Sequence, residues 1–212
     1  MSFSSTPSPL NSPSEPLRPT HVLLLLSAQN APLSDPPTGV PAAITLRHNI
    51  ATILANARAV PPAQRPRIVF VRNNGDAGDP DEPHTPGWQL HFPPRLRPQP
   101  DGSEQEYVID KLKNNAFAGT KLGSLIPADA EIVVVGMQSD FCVRATCSAA
   151  LGRGNEVLLI KDAHGTYDRM EVWNGGGITE AARIENEIEA ELEEAGVVVL
   201  TMEDVPGIFT DR

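Results

Sequence analysis

The chain has 212 residues, with 17 Lys plus Arg against 27 Asp plus Glu and a formal net charge of −10. That length supports one α/β domain of ordinary size, or two small ones, with a core that needs no disulfide or metal staple. The acidic balance and the scatter of single basic residues argue against nucleic-acid binding, and the longest apolar run in the front half, 22–26, is far short of the roughly 20 residues of a membrane span.

Residues 1–20 are mostly Ser, Pro, Thr and Asn with almost nothing to bury, which predicts a disordered arm. The arm lacks the charged start and apolar stretch of a secretory signal, and Arg18 as its sole base disfavours a mitochondrial leader. From His21 onward, short apolar runs alternate with helical patterns. The runs fall at 22–26, 68–71, 107–109, 132–135, 157–160 and 197–200, and polar residues do not alternate within them. Strands buried on both faces read this way, so the runs predict a parallel sheet covered by helices.

Helical spacing is found over 43–58, where Ile44, Ile50, Ile53, Leu54 and Ala57 fall on roughly one side, and in a short turn at 120–126. The Ala-rich stretch 141–151 follows the capping pair Ser139-Asp140. The clearest helix is 178–195, with Thr179 as cap, Glu on the outer face and Gly196 at the C′ position. The expected fold is α/β: three α/β/α layers around a doubly wound six-stranded parallel sheet in strand order 3-2-1-4-5-6, forming one domain over 21–212. Segment 73–105 is proline-rich and has neither period, and so long a loop inside a compact domain usually serves a site or a partner.

Ligands of open α/β sheets sit beyond the carboxyl ends of the strands. There the first strand is followed by Ser27-Ala28-Gln29-Asn30, the third by a stretch from Lys111 to Phe117, and the fourth by a stretch from Gly136 to Cys142. Cys142 falls in the first turn of a helix, where unpaired N–H groups and the dipole favour a thiolate, and a lysine ammonium nearby would favour it further. Cys142 with Lys111 is therefore a candidate nucleophile site, with buried packing as the alternative reading of the thiol. Cys142 and Cys147 lie five apart on a helix turning about 100° per residue, which disfavours a bridge between them. Free thiols point to a reducing, cytoplasmic compartment.

Three segments, residues 21–30, 111–122 and 133–146, resemble in order the signature blocks of the isochorismatase-like cysteine hydrolases, and the likeness extends to residues 85–91 and 162–168. The resemblance covers about 21–200, nearly the whole chain beyond the arm. It implies hydrolysis of a small molecule, mostly at amide C–N bonds, by an Asp, Lys, Cys triad without a cofactor. Cys142 falls on the nucleophile and Lys111 on the lysine, with Lys113 read as a solvated side chain. The backbone N–H groups of Gln138 and Cys142 would form an oxyanion hole after a cis peptide between Met137 and Gln138. Members are often dimers or larger, so a homo-oligomer is expected. The departure is Ser27, which stands where the family's block carries an aspartate before Gln29 and Asn30. A serine hydroxyl cannot act as a base near neutral pH, and a missing general acid/base costs about 10²–10⁴-fold.

Three outcomes are open with Ser27: hydrolysis with a water or another carboxylate as base, Asp35 and Asp140 being the nearby candidates in sequence; hydrolysis of an activated substrate only; or a non-catalytic relative that binds a small molecule or a protein. Trp88 and His91 match the second part of a nicotinamidase-type metal motif, but Asn73-Asn74-Gly75 replaces the first, and two ligands hold a metal poorly, so no metal is expected. Gln29, Trp88, His91 and Phe117 are the candidate substrate contacts. The alternative for Trp88 and Phe117 is to anchor the loop and the short helix, and for His91 a loop hydrogen bond. The pair His164 and Asp168 reads as structural, and Cys147 as packing.

Overall fold

In this computed structural model, the described residues are 20–172 and 175–210. The expected arm lies outside them apart from Thr20. The chain alternates strands and helices: β1 (His21–Leu26), α1 (Ala43–Ala59), β2 (Arg67–Asn73), β3 (Tyr107–Lys111), α2 (Leu122–Leu125), β4 (Glu131–Met137), α3 (Arg144–Arg153) and β5 (Glu156–Gly165). Two-residue strands β6 (Arg169–Met170) and β7 (Ile178–Thr179) pair as a separate antiparallel ribbon, before α4 (Ala181–Ala195) and β8 (Val198–Leu200). The main sheet is parallel throughout, in the order β3-β2-β1-β4-β5-β8. Counting only its six strands, this is the doubly wound order expected from the sequence.

The pleat sorts the strand side chains into two cores. Leu23 and Leu25 of β1, with Val133 and Val135 of β4, meet Leu46, Ile50 and Ile53 of α1 on one face. Val22, Leu24 and Leu26 meet Cys147 and Ala150 of α3 and Ile184, Ile188 and Leu192 of α4 on the other. Because both faces are covered, β1 and β4 are apolar at successive positions, and this explains the unbroken runs in the sequence.

One buried face and two boundaries differ from the sequence reading. The buried face of α1 is built by Ala43, Leu46, Ile50, Ile53, Leu54 and Ala57, while Ile44 is 64% exposed because one residue from Ala43 is a turn of about 100° toward solvent. The last helix begins at Ala181, since Ile178 and Thr179 pair in the ribbon; the Asp168 carboxylate, not Thr179, caps it by accepting the Ala181 N–H at 2.8 Å. The stretch holding Cys142 starts earlier than expected, as a π-helical turn over Ser139–Val143 that runs into α3. Such wide single turns are frequent at functional sites.

Candidate active site

The carboxyl ends of β1, β2, β3 and β4 converge where the strand order reverses between β1 and β4. A cavity of about 480 Å³ opens there, lined by Ser27 and Gln29 after β1, Asn73 from β2, Asp79 and Asp81 from the following loop, Asn114 after β3, and Met137, Gln138, Phe141 and Cys142 at the end of β4. A second cavity of about 420 Å³ lies at the opposite ends of β1 and β2, where Arg67 pairs with Glu104, and no cysteine lines it.

Lys111, the last residue of β3, is 1% exposed, and its ammonium donates to Asn73 Oδ1 at 2.6 Å and to Cys142 Sγ at 3.0 Å. Cys142 is 8% exposed in the π-turn. Its sulfur also lies 3.7 Å from Asn114 Oδ1. Thr146 of α3 pins the Asn114 loop: its hydroxyl donates to the Asn114 carbonyl at 3.2 Å and accepts the Ala116 N–H at 3.1 Å. The thiol and the lysine thus come from strands on opposite sides of β1 and meet across its end.

The peptide bond between Met137 and Gln138 is cis. Upstream, Gly136 has φ +121°, and a Cβ there would come within 1.9 Å of the Leu26 carbonyl oxygen. Only glycine lets β4 press its end against β1 here.

Ser27 sits at φ +47° beside the cavity, its hydroxyl buried and without a hydrogen-bond partner. Gln29 lines the cavity, but its amide is spent on neighbours: Nε2 donates to the Asn73 and Trp88 carbonyls and Oε1 accepts the Asn73 N–H. Its place is to fix Asn73. The other candidate contacts are not brought to this cavity. Trp88 lies under the Arg72 guanidinium at 3.4 Å and donates from Nε1 to Asn74, which anchors the loop. Phe117 packs under Arg153, and His91 sits 3.1 Å from Asn30 Oδ1, with burial and then the Arg47 charge holding its imidazole below the usual range.

Neither carboxylate put forward to replace the base faces the thiol. Asp35 pairs with Arg47 at 2.6 Å, largely exposed, and Asp140 accepts from Thr166 Oγ1 and pairs with Arg169. His164 has Nδ1 2.9 Å from Ser139 Oγ, and its Nε2 is 3.3 Å from Glu189 Oε1, too poorly aligned for a hydrogen bond. Asp168 is occupied at the α4 cap, so these two make no catalytic pair. Cys147 is fully buried among apolar side chains, which pushes its thiol up to about 12. Among the described residues, no cluster of three or more His, Cys, Asp or Glu could hold a metal ion.

Sequence reasoning missed Asn73, Asn114 and Asp81. Asn73 ends β2, and the strand-end logic applied to β1, β3 and β4 reaches it once extended to β2. The asparagine pair directly after Lys113 was the available signal for Asn114. Asp81 had no such signal, because it arrives from a loop without period.

This arrangement has clear relatives. Residues 21–176 match the isochorismatase domain, and the chain belongs to that family. It is 39% identical over 155 residues to a streptothricin hydrolase of Streptomyces noursei, an overlap of 72% of this chain and 57% of that protein. A second streptothricin hydrolase of the same organism is 38% identical over 148 residues, or 69% and 50% of the two chains. The chain therefore spans about half the length of these curated relatives. Among solved structures, an isochorismatase of Pseudomonas putida KT2440 superposes with a TM-score of 0.69 at 26% identity, covering 87% of this chain and 89% of that one. The N-carbamoylsarcosine amidase of Thermoplasma acidophilum shares the fold, with a TM-score of 0.64 at 18% identity over 89% and 99% of the chains.

Proposed function

We propose that this chain is a thiol hydrolase that cleaves a C–N bond of a small amide through a thioester on Cys142. The observation that carries this reading is the 3.0 Å contact between Lys111 Nζ and Cys142 Sγ at the wall of a cavity of about 480 Å³. An ammonium against the sulfur favours the thiolate, which is the nucleophilic form. The thiolate adds to the substrate carbonyl, forming the C–S bond. The oxyanion that develops is met by the backbone N–H groups of Gln138 and Cys142, as the resemblance implies. The C–N bond then breaks, the departing nitrogen takes a proton, and one water hydrolyses the thioester and returns the free thiol. Among the described residues, Lys111 is the cation that touches Sγ, and it is assigned as the donor of that proton.

Streptothricin, the compound in the names of the two curated relatives, is the first substrate to test, followed by a panel of simple amides and esters. Turnover that disappears in Cys142→Ala, with an acyl adduct on Cys142 trapped by mass spectrometry, supports the reading; turnover that survives Cys142→Ala refutes it. One observation favours a second reading, binding without turnover: Ser27 offers an unpartnered hydroxyl where the family's aspartate would stand. Thermal stabilisation by a ligand that is never consumed would select it. We further propose, from the resemblance, a cytoplasmic homo-oligomer acting on a small molecule, and a sedimentation measurement of the purified chain tests the assembly.

A further inference from the structure

Lys111 poses a charge problem. A cation 1% exposed has lost its water, and a buried charge persists only where hydrogen bonds and opposite charge compensate it. Among the described residues Lys111 enters no ion pair with a carboxylate. Its polar contacts are one amide oxygen and one sulfur, and the sulfur carries an opposite charge only as the thiolate that Lys111 itself sustains. Position 27 brings no charge, since it holds a buried, unpartnered hydroxyl.

The compensation is one step further out. Asn73 turns Oδ1 to Lys111 at 2.6 Å and donates from Nδ2 to Asp81 Oδ2 at 2.7 Å. These two neighbours dictate the orientation of the amide. Turned over, it would set NH₂ against an ammonium and oxygen against a carboxylate, two repulsive contacts in place of two attractive ones. The loop is shaped to bring Asp81 there. The Gly75 N–H donates to the Asp81 carbonyl at 3.1 Å, and a Cβ on Gly75 would lie 2.2 Å from Asp81 Oδ1. Asp81 also lines the cavity, and its charge acts on Tyr167 across from it.

We propose that Asp81 is the counter-charge of this site, a positioning residue that acts through the Asn73 amide to hold the Lys111 ammonium in place against Cys142. It supplies the charge that position 27 lacks while leaving the proton transfers to other groups. The purpose given to Asp81 rests on the thiol hydrolase reading, but its test reads the thiol alone, so each can fail without the other.

The experiment is alkylation of the full chain by iodoacetamide at neutral pH, followed separately at Cys142 and Cys147 by mass spectrometry. A neutral reagent is not steered by surface charge. Asp81→Asn is expected to slow Cys142 alkylation by about tenfold, because the Lys111 ammonium loses the charge that holds it against the sulfur; a faster rate, the direct result of taking a negative charge away from a thiolate, overturns the proposal. The double variant Asn73→Asp with Asp81→Asn moves the carboxylate one step along the same chain of hydrogen bonds at constant net charge, and it is expected to recover the parental rate. Continued protection of Cys147 shows that each variant is folded. An unchanged rate in Asp81→Asn overturns the proposal. A slow rate that the exchange does not recover overturns it as well, because the effect would then be one of shape and not of charge. Failure to turn over any substrate in the parent, with the labelling pattern intact, would sink the hydrolase reading alone.

Discussion

The two cysteines form an internal contrast. Cys142 touches an ammonium and lines a cavity, whereas Cys147 is buried among apolar side chains that push its thiol up to about 12. Native alkylation at neutral pH is expected to modify Cys142 at least about tenfold faster than Cys147, and Lys111→Ala is expected to slow Cys142 by about tenfold while Cys147 stays protected by its burial. Comparable rates at the two thiols would contradict the nucleophile assignment. Ser27 allows a gain-of-function measurement. Its φ of +47° is a conformation that aspartate tolerates better than most residues, and its hydroxyl has no partner to lose. Ser27→Asp is expected to fold and to raise kcat on unactivated amides by about 10²-fold or more, the usual contribution of a general acid/base. No gain, with the fold intact, would mean that proton transfer is already served. At this scale the sequence disclosed the residues whose chemistry is rare, Cys142 and Lys111, because a thiol and an ammonium at strand ends stand out against a polar background. It did not disclose Asn73, Asn114 or Asp81. An amide or a carboxylate gains meaning only from the groups that face it; for Asn73 and Asn114 those partners lie 38 and 28 residues along the chain, and for Asp81 they are set by the fold of a loop without period.

Elements place these groups by means that a period can show only in part. The strands were legible because burial on both faces leaves continuous apolar runs, and β1, β2, β4 and β5 fall on them with ends shifted by a few residues. The start of α4 and the π-turn were not legible. Ile178 satisfies a helical spacing equally well from the ribbon, and the capping pair Ser139-Asp140 marks a turn without revealing its width. Gly136 is the element-level constraint on the site, since it lets β4 approach the Leu26 carbonyl. Gly136→Ala would combine a backbone conformation worth about 1–3 kcal/mol of strain with a direct clash. At roughly 2–4 °C per kcal/mol for a chain of this size, its Tm is expected to fall by several degrees or more. Loss of the Cys142 labelling advantage should accompany the fall. Helix α4 allows a milder test. Burial raises the Glu185 carboxyl above its ordinary value, so its charged form opposes folding near neutral pH even though Oε1 accepts the Thr166 N–H. Glu185→Gln keeps that acceptor without the charge. Chemical denaturation is expected to show it more stable than the parent at pH 7, with the difference shrinking as acid neutralises Glu185 in the parent.

For the molecule as a whole, the excess of acids and the buried weak acids act together on the alkaline side. A formal charge of −10 already opposes compaction, and each further deprotonation adds to it. Cys147 is the most buried of the groups involved. Its thiol titrates at about 12 in the fold against an ordinary 9.0, so the folded state holds its proton more tightly than the unfolded chain. That stability is fully present below pH 9 and is lost as pH rises from 9 toward 12. Tyr107 and Tyr167, also raised first by burial, act in the same direction from about pH 10 upward. On the acid side two of the α4 carboxylates, Glu189 and Glu185, oppose one another. Glu189 is held below its ordinary range by His164 and Lys161 despite its burial, so its contribution is lost as pH falls below about 4.5, while protonation of Glu185 is favourable. Stability is therefore expected to fall more steeply above pH 9 than between pH 7 and 5. Denaturant midpoints measured across that range should show the asymmetry, and Cys147→Ala should flatten the segment between pH 9 and 10, before the tyrosines contribute. An equally steep fall in that variant would place the alkaline sensitivity in the net charge instead of the buried thiol.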